Sequence, residues 1–149
     1  MDSVEKWWRI EGRKRYPGAK GFAILADGGG SNAAASRGWK FGLQHKLCDR
    51  HGLPVTLAHF PTGASKWNPI EHRFFSELSK NWAGRPLDSL ETILKYARTT
   101  TTTTGFCVKA HLVRRRYKKG VKITDAQMRD LVLYKDETLP KWNYTIAPA

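Results

Sequence analysis

Two carboxylates in this chain stand where acids can do phosphoryl-transfer chemistry. Asp27 ends an apolar run, Phe22-Ala23-Ile24-Leu25-Ala26, and opens a glycine turn, Gly28-Gly29-Gly30-Ser31-Asn32. Glu71 follows 44 residues later, inside Asn68-Pro69-Ile70-Glu71-His72-Arg73. The apolar run reads as a buried strand, which puts Asp27 at a strand's C-terminal tip, the edge where α/β proteins place their sites. Asn68 reads as a helix N-cap with Pro69 at the first helical position, which puts Glu71 in a helix's first turn. Acids delivered from a sheet edge and a helix start can gather around divalent metal ions. Each also has a plainer explanation. Asp often begins a turn before Gly, and a first-turn carboxylate suits the helix dipole.

The neighbours of Glu71 add to the case. Lys66 can meet a phosphate, and Trp67 can stack on or wedge against a base, or equally sit in the core. Asn68 is the cap. His72 and Arg73 follow Glu71 directly, and adjacent helix positions diverge by about 100°, so at most one of them shares its direction. His72 is therefore read as an edge residue that contacts phosphate or packs, not as a metal ligand. The stretch Gly28 to Ala33 also fits G-x-G-x-x-A after a strand, the pattern of a dinucleotide site. Against that, Asp27 would repel a pyrophosphate and the helical pattern starts several residues late. The next strand ends in His59-Phe60 instead of the acid that would hold a ribose.

The charge says what those acids would act on. Lys and Arg outnumber Asp and Glu by 26 to 13 in 149 residues, a net charge of +13. Residues 92–124 hold nine Lys/Arg and no acid, densest at Arg114-Arg115-Arg116-Tyr117-Lys118-Lys119. A field of this sign favours polyanions and weakens with salt, which points to nucleic acid instead of a generic solvated face. With 40% hydrophobic residues and six Trp the chain has the means to fold. No apolar run reaches the roughly 18 residues of a membrane span, and the start carries no signal-peptide pattern. Cys48 and Cys107 form no paired motif and have no ligand spacing with the histidines, so the expectation is a cytosolic chain with inert thiols and no zinc.

The elements follow from periodicity. Ser3 caps a first helix that buries Val4, Trp7 and Trp8 and stops at Pro17-Gly18. Gly21 to Ala26 is a strand. Trp39, Leu43 and Leu47 mark a helix that ends near His51-Gly52, and Pro54 to Phe60 is a second strand. Strand, helix, strand in this span is a βαβ unit with parallel strands. Ile70, Phe74, Leu78 and Trp82 form one stripe on the next helix. Asp88 or Ser89 caps another that buries Leu90, Ile93, Leu94 and Ala97. The threonines from Thr99 to Thr104 read as an extended link, and Phe106 to Val113 as a short strand. Thr124 and Gln127 make a capping box for a brief helix through about Val132. Trp142 and Tyr144 dock the tail. The expected organisation is a catalytic core over 1–98 with a basic extension over 99–149 packed on it.

The blocks Leu25-Ala26-Asp27-Gly28-Gly29-Gly30-Ser31-Asn32, His59-Phe60-Pro61 and Ser65-Lys66-Trp67-Asn68-Pro69-Ile70-Glu71-His72-Arg73 together resemble the DDE transposases of bacterial insertion sequences. The likeness is to the Rhodopirellula-type transposase DDE domain in particular. Gly120 to Thr124 and Trp142 to Ile146 resemble that family's C-terminal end. The resemblance implies an α/β, RNase H-like fold, a mixed sheet flanked by helices. It implies three carboxylates holding two Mg²⁺ or Mn²⁺ ions, with Asp27 as the second acid and Glu71 as the third. It also implies DNA, as transposon ends and target, for the partner. Lys66, Trp67, Asn68, Arg73, Arg114, Arg115, Arg116, Lys118 and Lys119 are the candidate DNA contacts.

The family's first acid belongs on a strand ahead of these blocks, and Asp2, Glu5 and Glu11 lie on a helix instead. The expectation is therefore a partial fold lacking the N-terminal strands, from a truncated reading frame, a split gene or an expressed fragment. Such a chain would be inactive alone, and would sit in the cytoplasm on the nucleoid. It would pair with an N-terminal transposase fragment or with itself. The competing expectation is a basic DNA-binding accessory protein that keeps the fold without catalysis.

Overall fold

Alternation of buried and exposed residues organises the first part of the chain. The computed structural model describes every residue except Thr62, Arg115, Tyr117, Lys118 and Lys119, and the side chain of Ser65. The chain divides into two units, Met1–Ala64 with Lys119–Ala149, and Ser65–Lys118.

The first unit is a mixed four-stranded sheet with helices, an α/β arrangement. Strands β1 (Phe22–Ala26), β2 (Val55–His59), β3 (Leu133–Lys135) and β4 (Tyr144–Ile146) lie in the order β1-β2-β4-β3. β1 and β2 are parallel with Ala26 opposite His59, as the βαβ pattern requires. β4 runs antiparallel to both β2 and β3. Helix α1 begins at Asp2–Trp7, widens into a π-turn over Trp8–Gly12 and closes with Arg13–Arg15. Helix α2 repeats the pattern, with Arg37–Leu43, a π-turn over Gln44–Cys48, and Asp49–His51. Ser36 caps α2 by accepting from the Trp39 N–H, and Gly52 ends it with φ +65°, the left-handed conformation that favours glycine.

Both helices feed one core. Trp8, Leu43, Leu47, Cys48, Val55, Leu57, Tyr144 and Ile146 cluster with Phe22 and Ile24 packed against them. Each large apolar side chain removed from water in this way contributes about 1.5–3 kcal/mol. Trp8 meets Phe22 edge-on at 4.6 Å. Gln44 is the polar member, 1% exposed. Its amide nitrogen donates to Ala147 O at 2.8 Å and to Asp49 Oδ1 at 2.6 Å, and its oxygen accepts from the Val132 N–H at 3.0 Å. That one side chain stitches α2 to the segments on either side of β3 and β4. Helix α5 (Asp125–Arg129, numbered after two helices of the second unit) carries the expected capping box, and Arg37 of α2 pairs with its Asp125.

The second unit is helical. After a tight turn over Ser65–Trp67 come α3 (Pro69–Trp82) and α4 (Leu90–Thr99). Asn68 accepts from the Ile70 N–H with Pro69 behind it, and Ser89 caps α4 through the Thr92 N–H. Asn81 of α3 places its amide nitrogen 2.6 Å from Tyr96 O and 3.1 Å from the hydroxyl of Thr100, which is buried. Phe74 stands 6.2 Å from Phe106.

Several expectations give way. α1 starts at Asp2, one residue before Ser3, with the backbone of Met1 as its cap. Trp7 is 46% exposed while Trp8 is buried, because only one of two adjacent helix positions can face the sheet. β1 is covered on one face only: it lies at the sheet's edge, and Leu25 is 63% exposed. The sheet also holds β3 and β4, which were not read as strands. β3 and β4 are three residues each, too short to show a period. Ile70, Leu90 and Ile93 are exposed, since α3 and α4 offer each other one face and the second unit is otherwise thin. The threonine run turns instead of extending, with Thr101 bridging Cys107 and Gly105 at φ +89°. Phe106 to Val113 forms no strand among its residues. Cys48 is buried, but Cys107 is exposed and so is not shielded.

Candidate functional site

Asp27 stands where its strand ends. The Phe60 N–H donates to Ala26 O at 2.7 Å, so β1 and β2 stay paired up to the residue before the carboxylate. The side chain is then free of the sheet and exposed. Gly28 and Gly29 lead into a helical turn over Gly30–Asn32, with Gly30 at φ +69°. That turn brings Asn32 back to the strand tip, where its amide nitrogen lies 3.5 Å from Asp27 Oδ1. One carboxylate oxygen thus has a long contact to an amide, and the other is open to solvent or an ion.

His59 ends β2 beside this tip and is buried at 7% exposure. Its Nε2 faces Asn32 O at 3.0 Å, and its Nδ1 faces Trp142 O. Its backbone N–H donates to Asn143 Oδ1 at 3.2 Å, and its ring stacks on Tyr144 at 5.8 Å. Tyr144 is buried deeply enough that its phenol is pushed up to about 12, so it stays a neutral ring at ordinary pH. Asn32 and His59 stand in motifs noted above and Asn143 in the Trp142 to Ile146 stretch, but none of the three was given a part in the site. The signal was present in the register: parallel strands of equal length put the last residue of each at one edge.

Glu71 lies in the first turn of α3, exposed, and among the described residues its carboxylate has no hydrogen-bond or ion-pair partner. The turn before it is pinned by His72, whose Nε2 lies 2.8 Å from Lys66 O. This is a packing role for His72, in line with its reading as an edge residue. Trp67 is 71% exposed, which removes it from the core and leaves its face available. Lys66 Nζ sits 5.2 Å from that ring's centre, a cation held near an aromatic surface. Arg73 is exposed on the same helix.

Of the basic run, Arg114 and Arg116 are exposed, and Arg114 makes only a loose 3.9 Å pair with Glu91. Arg115, Lys118 and Lys119 lie outside the described residues. The acids suit a hard divalent ion by their chemistry, since carboxylate oxygens are what Mg²⁺ and Mn²⁺ take. Among the described residues no cluster of three or more His, Cys, Asp or Glu is assembled that could hold a metal. Cys48 adds nothing to such chemistry: burial pushes its thiol up to about 11, and it donates to Ile146 O. No described helix is long and apolar enough to cross a membrane.

Compared with known proteins, the chain matches the family described as the Rhodopirellula transposase DDE domain over residues 1–148. No curated protein and no solved structure matches it.

Proposed function

From the premise that this chain belongs to the Rhodopirellula transposase DDE domain family, we propose that it carries part of a metal-dependent site for cutting and joining DNA. Asp27 takes the role of the family's second acid and Glu71 that of the third, within a partial RNase H-like fold. The observation that carries this reading is Asp27 itself. It is an exposed carboxylate released from the sheet at the tip of a parallel strand, with a glycine turn that lets a phosphate backbone come close. Two Mg²⁺ or Mn²⁺ ions held by the complete three-acid site would activate a hydroxyl and steady the leaving oxygen of an in-line displacement.

The chain's own contribution is to present carboxylates and to hold DNA. Asp27 is steered by Asn32, and Glu71 is presented by a capped and pinned helix start. Lys66, Arg73, Arg114 and Arg116 offer charge to phosphates, and Trp67 offers a face to a base. Asn68 serves as the helix cap, with any DNA contact secondary. Arg115, Lys118 and Lys119 extend the basic run by sequence alone.

These 149 residues supply two of the three acids. Alone they should bind DNA and cleave it little or not at all, and a segment bearing a further strand-tip Asp would complete the site. The partner that brings it is an N-terminal transposase segment. A nicking assay on supercoiled DNA with Mg²⁺ or Mn²⁺ tests this. The expected result is binding without appreciable nicking. Robust metal-dependent nicking, abolished by Asp27→Ala, would overturn the inactive reading. The accessory-protein reading draws on the +13 charge and predicts DNA binding indifferent to metal and to Glu71→Ala.

A further inference from the structure

We infer that His59 is a positioning residue that fixes the direction of the Asp27 carboxylate through Asn32. Asp27 is followed by three glycines, the residues that lose most freedom on ordering, so the loop has little stiffness of its own. Its internal bond, from the Ala33 N–H to Gly30 O, is long at 3.4 Å. Its far end is held by the Ser36 N–H, which donates to Ala33 O at 2.8 Å, and Asn32 itself is tied to β2 by the contact between His59 Nε2 and its backbone oxygen at 3.0 Å. Asn32 is also the residue whose side chain reaches Asp27 Oδ1 at 3.5 Å. The imidazole therefore holds the backbone of the residue that steers the acid.

The ring is well placed to do so. It sits on β2, opposite Ala26, the residue before Asp27. It is buried, stacked on Tyr144 with planes 29° apart, and its own N–H is held by Asn143. Both groups facing its nitrogens are carbonyl oxygens, which only accept. Any hydrogen bond there must be donated by the ring, and the inference assigns a proton to Nε2, bonded to Asn32 O. Trp142 O faces Nδ1, but a neutral ring has one N–H, and with that proton on Nε2 the ring holds the loop and not the tail.

This inference rests on reading Asp27 as a site carboxylate. Its test reads loop order instead of chemistry, so its failure would leave that reading standing. His59→Phe keeps a ring over Tyr144 and removes the Nε2 donor, while His59→Gln keeps an N–H donor. Amide hydrogen exchange of Gly29 to Ala33 and the carboxylate ¹³C resonance of Asp27 would be followed by NMR in the full chain. In His59→Phe, exchange in the loop should quicken by about tenfold or more, with Leu57 and Ile146 still protected. The Asp27 resonance should move to its position in Asn32→Ala, and His59→Gln should restore both signals in part.

An unchanged loop and resonance in His59→Phe would overturn the inference. So would protection falling equally in loop and sheet, which assigns His59 to general stability. The unaltered chain gives a second test independent of any variant. It should show a His59 ring N–H signal at Nε2, protected from water and close to Asn32, and its absence would overturn the assignment.

Discussion

At the scale of single residues, the side chains that differ most are those with one job and those with several. Asp27 and Glu71 are exposed and contribute little to packing, so they are available to a ligand. Asp49 does structural work instead. Burial raises its carboxyl, but the Ala149 N–H, the Gln44 amide and His45 outweigh that and hold it below the ordinary 3.8. The sign follows from linkage. A folded-state value below the unfolded one gives stability that is full above the unfolded value and is lost as pH falls through the folded one. Acid titration of the melting temperature should therefore show a loss below about pH 4 that Asp49→Asn makes shallower. Identical acid slopes in the two proteins would show that Asp49 is not linked to folding.

At the scale of elements, each unit has a residue whose replacement should act locally. Gly12 ends the π-turn of α1, and a Cβ there would collide with the Trp8 ring and lie 3.0 Å from that of Trp7. Alanine favours helix over glycine by about 1 kcal/mol, yet Trp8 is buried against Phe22 and cannot retreat without leaving the core. Gly12→Ala should lower stability by a net ~1–3 kcal/mol in a denaturant melt, and a rise would show that α1 repacks freely. In the second unit, Asn81→Ala takes a donor from the buried Thr100 hydroxyl, while Tyr96 O keeps the Thr99 and Thr100 hydroxyls as donors. The cost should be about 0.5–1.5 kcal/mol, read as faster exchange across α4 with Val55 and Leu57 unaffected. Faster exchange at Val55 and Leu57 as well would show that the substitution does not act locally.

These elements also show what the sequence made legible. Asn68 and the Thr124–Gln127 box stand as read, because a cap is a local bond between residues two or three apart. The parallel β1–β2 pair stands as well, since apolar runs joined by one helix leave few other topologies. β3 and β4 were not legible, because their pairing is set by partners such as Val55 and Leu57, far away along the chain. The burial of Leu90 and Ile93 was misjudged for the same reason: an apolar stripe states a preference, and only a neighbouring surface satisfies it. The place of Asp27 at a strand tip and of Glu71 in a helix's first turn was readable from turn and cap residues. The His59–Asn32 contact was not, because backbone carbonyls leave no mark on sequence.

On the scale of the whole molecule, a +13 chain with exposed Arg114, Arg116, Lys66 and Trp67 should bind DNA with an affinity that falls as salt rises. That property alone does not separate a transposase domain from a basic accessory protein. Metal binding does. The most direct measurement is a Mn²⁺ titration, by electron paramagnetic resonance, of the unaltered chain, Asp27→Asn and Glu71→Gln. Both substitutions are at exposed positions and should change stability by no more than about 0.5 kcal/mol, so folding does not confound the comparison. The expected result is weak Mn²⁺ binding that each substitution reduces several-fold. Mn²⁺ affinity unchanged by both would contradict the assignment of Asp27 and Glu71 to the site.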